Sequence, residues 1–179
     1  QDTTDTTNQD PLVLSIPQVY STVTSIDVQV AYEPDAVPCT GELLDGTPYW
    51  WVLQSNIDAL FLGRDMRPAL TVPQDLDGMD PIPGQNQDTW SSSEIVALAR
   101  NIWDTPMTES IAYIHVIFLS GNYEEDGTAN TKILGVSFVG SSLIAIFKDV
   151  IVNSGSSSAV TWFVEQATLV HETGHLLGL

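Results

Sequence analysis

Two of the chain's three histidines stand four residues apart, in the run His171-Glu172-Thr173-Gly174-His175. On an α-helix, positions i and i+4 lie on one face a turn apart, so both imidazoles reach a single metal ion. Zinc suits such nitrogen ligands. Glu172 follows the first histidine and projects about a quarter turn from it. There it is placed to accept a proton from a water at the metal without being a ligand itself. The residues ahead of the motif (Phe163, Val164, Ala167, Leu169 and Val170) are apolar. Burying two histidines and a glutamate in such surroundings is costly without a metal partner. The competing reading is a core histidine pair satisfied by hydrogen bonds. Gly174 lies between the two histidines, and glycine costs about 1 kcal/mol relative to alanine inside a helix. Its presence predicts close packing against a neighbouring strand.

A helix has to carry this motif. From Ala159 onward the chain is apolar on nearly every side, which predicts one long, buried helix. Upstream, Ile26, Val28, Val30 and Tyr32 alternate as in a half-buried strand. Residues 49–63 have apolar side chains at helical spacing, with Gly63 as the expected C-cap. Ser91 and Glu94 have the spacing of a capping box that opens a helix through Ile102. Ile111 to Leu119 is a nearly continuous β-rich apolar run, the pattern of a central strand. Residues 133–138 and 143–147 read as further strands, followed by the apolar triad 150–152. The order β, α, α, β, β, β, α predicts a mixed α/β (α+β) domain.

With Leu176, Leu177 and Gly178 added, the motif becomes His171-Glu172-Thr173-Gly174-His175-Leu176-Leu177-Gly178. It resembles the first eight positions of the metzincin zinc-peptidase signature H-E-x-x-H-x-x-G-x-x-H. The resemblance implies a mixed twisted sheet with a backing helix and a buried active-site helix. It implies zinc on His171 and His175, with Glu172 as general base in peptide-bond hydrolysis. Gly178 would turn the chain so that a ligand three residues further on returns to the metal. Leu134, Gly135, Val136, Ser137 and Phe138 resemble the family's antiparallel edge strand, which pairs with peptide substrates. The third ligand and the lower half of the cleft are expected from the protein's own C-terminal segment, packed under the active-site helix. Leu176, Leu177 and Leu179 are expected to be exposed without that segment. A thermolysin-like arrangement with a distal glutamate ligand shares H-E-x-x-H, and Gly178 favours the metzincin one. A non-catalytic zinc-binding or adhesion module, retaining only a structural metal site, is the alternative of a different class.

Other candidate residues carry bland and sharp readings side by side. His115 lies within the central apolar run, as a neutral buried histidine bonded to a neighbour or as a stand-in ligand. Cys39 is a free thiol, the partner of a cysteine outside this sequence, or a thiolate that reaches the zinc. Asp75, Asp77 and Asp80, and then Glu124, Glu125 and Asp126, form acidic loops, either solvated or calcium-binding. Glu165 reads as structural or on the helix's exposed edge.

The 179 residues carry five Lys+Arg against 23 Asp+Glu, a net charge of −18. That excludes the basic face that nucleic-acid and anionic-membrane binding need. No apolar run is long enough to span a membrane. The scarcity of lysine fits a secreted or cell-surface protein. Residues 1–10 contain no apolar side chain and read as a flexible leader, with 11–179 as the N-terminal part of a catalytic domain.

Overall fold

Alternating apolar residues set the strands, and the computed structural model describes them within residues 9–43, 45–65 and 67–179. In chain order come α1 (Ile16–Ser21), β1 (Ser25–Tyr32), α2 (Trp51–Ala59), β2 (Ala69–Thr71) and a 3-10 turn (Leu76–Gly78). Then follow β3 (Asp80–Pro81), β4 (Thr89–Trp90), α3 (Ser92–Ile102), β5 (Ile111–Leu119), β6 (Asn122–Glu125) and β7 (Thr128–Asn130). The chain continues through β8 (Gly135–Ser137), β9 (Leu143–Phe147), α4 (Lys148–Ser154) and α5 (Ser158–Leu176).

β5 lies at the centre of a mixed sheet in the order β2-β1-β5-β9-β8, with β3 also paired to β1. The neighbours pair in parallel except at the end, where β8 runs antiparallel to β9 and forms the edge. β4, β6 and β7 make a separate small sheet. Strand alternation sends Val28, Val30, Ile114, Val116, Ile144 and Ile146 to the side of Leu53 and Ile57 of α2 and Leu169 of α5. Ile117, Leu119, Leu143, Ala145 and Phe147 point the other way, onto Ile95 and Ala99 of α3. The result is three layers and the mixed α/β class that the element order predicts. α3 opens with the expected capping box: Ser91 N–H donates to the Glu94 carboxylate at 2.9 Å, and Glu94 N–H returns to the Ser91 hydroxyl.

Several local expectations are corrected. α5 is buried along one face only, at Glu165, Thr168, Leu169, Glu172, Thr173 and Leu176. Val160, Phe163, Ala167 and His171 lie on an exposed stripe, because the sheet touches this helix from one side. Residues 150–152 belong to α4, a short helix. α2 ends before Gly63, with Leu60 as its C-cap. Leu176 and Leu177 are buried, and Tyr20 Oη donates to the Leu177 carbonyl at 3.1 Å, so α1 closes over the end of α5. Only Leu179 of the three leucines is exposed. Residues 1–8 of the expected leader lie outside the described residues. Asp10 is fixed by an ion pair with Arg100. Among the described residues, no helix is long and apolar enough to cross a membrane.

Candidate functional site

Leu169 and Leu176 anchor the last turns of α5 in the core, which leaves His171 and His175 on the exposed stripe. Their Nε2 atoms stand 3.0 Å apart, with the rings edge-on at 4.4 Å between centroids. Two imidazoles on one tetrahedral zinc, each at about 2.0–2.1 Å, have nitrogens roughly 3.3 Å apart. At 3.0 Å the two nitrogens are hydrogen-bonded to each other, and the same placement is close to what two ligands of one ion need. Among the described residues, no group of three or more His, Cys, Asp or Glu side chains is placed to hold a metal. Neither acidic loop considered for calcium assembles such a group.

The helix stops where Gly178 adopts φ +87°, a backbone region that side chains disfavour. Leu179 N–H then donates to the Gly174 carbonyl at 2.9 Å, and Gly178 N–H to that of His175 at 3.1 Å. These bonds occupy carbonyls that the helix end would otherwise leave free. The packing expected at Gly174 is absent: a Cβ there would meet only Leu179, at an ordinary 3.9 Å. The tightly packed glycine next to the motif is Gly135, on β8. A Cβ on it would come within 2.9 Å of Thr168 Cγ2 and 3.1 Å of Glu172 Cγ. The bare backbone of β8 is what lets α5 approach, and it sets Glu172 directly beside the edge strand.

Glu172 is 9% exposed and lines a cleft of about 510 Å³ together with His171, Thr168, Leu134 and Gly135. One wall of that cleft is β8. Phe147 N–H donates to the Leu134 carbonyl, and Phe138 N–H donates to that of Leu143. By alternation in an antiparallel pair, the N–H and C=O of Gly135 and Ser137 then point to the open edge. Val136 and Phe138 pack their side chains toward the α3 layer instead, and Leu134 touches both core clusters.

Glu165 lies two helical turns before Glu172 and is fully buried, not at an exposed edge. It pairs with Lys148 of α4 and accepts from Cys39 N–H at 2.8 Å and Tyr49 Oη at 3.1 Å. Lys148 Nζ also lies 3.2 Å from Cys39 Sγ. Burial, and then the Glu165 charge, push the Cys39 thiol up to about 11 and raise the Tyr49 phenol as well. Cys39 is thus a protonated thiol within the core, away from the histidines. This cluster has no sequence motif. Its one legible sign is the Glu165-to-Glu172 spacing, which puts both carboxylates on one helical face. His115 is fully buried, bonded through Nδ1 to Ser142 Oγ at 2.7 Å, with the Trp103 ring tilted against it and Tyr113 stacked on it. Burial lowers its pKa to about 4, so it is a neutral core histidine, and its neighbours are Ser142, Trp103 and Tyr113 rather than the pair on α5.

Comparison of the chain with known protein families, with curated proteins and with solved structures finds no match.

Proposed function

We propose that the protein is a zinc-dependent endopeptidase of metzincin-like design that works outside the cell on peptide or protein substrates. The observation that carries the reading is the approach of His171 and His175 to 3.0 Å on α5, with His171 and the mostly buried Glu172 lining a cleft walled by an open strand edge. His171 and His175 would hold zinc through Nε2. Zinc there would supply a Lewis acid and would lower the pKa of water toward neutrality. The Glu172 carboxylate accepts the water's proton and later delivers it to the leaving amine. Gly135, having no side chain, lets the Glu172 stem pack directly against the β8 backbone, which limits where that carboxylate can lie. The outward N–H and C=O groups of Gly135 and Ser137 hold the peptide as an added strand.

Catalytic zinc sites have three protein ligands, so a third is required besides the two histidines. In this reading the turn at Gly178 directs the following segment back under α5 to supply it. Full-length protein should carry one zinc per chain by elemental analysis, and His171→Ala or His175→Ala should lose most of it. Folded full-length protein that holds no zinc would contradict the reading.

A further inference from the structure

A second cavity, of about 530 Å³, opens beside the N-terminal half of α5 and shares Phe163 with the cleft at His171 and Glu172. Its walls are Trp162 and Phe163 of α5 with Leu43 of the segment between β1 and α2, and the exposed Glu42 and Asp45 line it too. Phe163 is 70% exposed although it is a large apolar side chain on a helix that buries its other face. Trp162 is held in place: the Tyr49 ring meets it edge-on at 5.8 Å, and its carbonyl, 3.2 Å from Tyr49 Oη, shares that hydroxyl's proton with Glu165. The cavity thus has one fixed aromatic wall and one open one.

The spacing connects it to the strand edge. Phe163 and His171 are eight residues apart on one helix, about 12 Å along the axis. An extended peptide advances about 3.3 Å per residue, so three to four residues cover that distance. Charge narrows the occupant further. Glu42 and Asp45 line the cavity, and the chain as a whole carries −18. An anionic peptide would be repelled there, and a cationic one drawn to it.

We propose that this cavity is a specificity subsite. It receives a large apolar or aromatic side chain of a peptide substrate, three to four residues from the scissile bond, and favours basic neighbours on that peptide. The proposal rests on the peptidase reading above. It adds the substrate class: cationic peptides with one apolar anchor set away from the cleaved bond.

The test uses the full-length, zinc-loaded protein with Glu172→Gln, which removes turnover and leaves binding measurable. Fluorescein-labelled decapeptides with lysine flanks carry one phenylalanine moved position by position through a Gly/Ser background. One position should bind about tenfold tighter by fluorescence anisotropy. Phe163→Ala, an exposed site whose fold is checked by circular dichroism, should erase that preference. Replacing the lysines with glutamates should weaken binding, more so at low salt. Equal affinity at every position, a preference that survives Phe163→Ala, or no peptide binding at all would overturn the subsite. Hydrolysis by the unmodified protein decides the other question independently. Cleavage without the preference removes the subsite and keeps the peptidase, whereas the preference without cleavage does the opposite.

Discussion

Two glycines near the candidate site behave differently, and the difference comes from what lies opposite each. A Cβ on Gly135 would meet Thr168, Glu172 and Ile146 at 2.9–3.1 Å, too close for a methyl group to fit. Gly135→Ala should therefore destabilise the protein by about 1–3 kcal/mol through overpacking, read from urea unfolding. Gly174 has only Leu179 nearby, and Gly174→Ala should be neutral or should stabilise by up to about 1 kcal/mol. Equal costs at the two positions would contradict this assignment. His115 gives a pH signature. Its folded pKa of about 4 lies below the unfolded value, so the unfolded chain takes up this proton first as pH falls. Its contribution is intact above about pH 6.5 and is lost between there and pH 4, approaching about 3 kcal/mol. A His115→Asn variant should lack that part of the pH dependence. If urea midpoints of the two proteins fall in parallel between pH 7 and 4.5, the burial argument for His115 fails.

At the scale of elements, α5 is fixed by a charged clamp as well as by its apolar face. Glu165 of α5, Lys148 of α4 and the Cys39 loop meet away from water. Removing one partner leaves a charge buried without its counter-ion, so Glu165→Leu should cost about 3–5 kcal/mol. The double change Glu165→Leu with Lys148→Met should recover most of that loss in chemical denaturation. A double variant no more stable than the single one would show that the pair is not the cause. The elements themselves were unevenly legible. β1 and β5 followed from alternation and from an unbroken apolar run, and α3 from its capping box. Residues 150–152 were ambiguous because three apolar residues fit a strand or one helical turn equally well. The one-sided burial of α5 was hidden because Phe163 and Ala167, apolar like the core, face outward. The clamp escaped because its members are scattered between positions 39 and 165, and only the fold brings them together.

For the whole molecule, the sheet order explains why the motif sits where it does. β8 is the one antiparallel strand of the main sheet and lies at its edge, with α5 against it through Gly135. That places an open backbone edge, a buried carboxylate and the His171 imidazole along one cleft, with His175 one helical turn further on. H-E-x-x-H was readable in the sequence, whereas the aromatic cavity beyond Phe163 depends on the loop at Leu43 folding back to α5. The central claim is that Glu172 moves the proton in peptide hydrolysis at a zinc held by His171 and His175. The most direct measurement compares full-length protein with its Glu172→Gln variant for zinc content and for cleavage of a fluorogenic peptide library. The account predicts one zinc per chain in both proteins and a loss in kcat of about a hundredfold or more in the variant. Unchanged cleavage by the variant, or zinc in both proteins with cleavage by neither, would contradict it, and the latter would leave a non-catalytic zinc module.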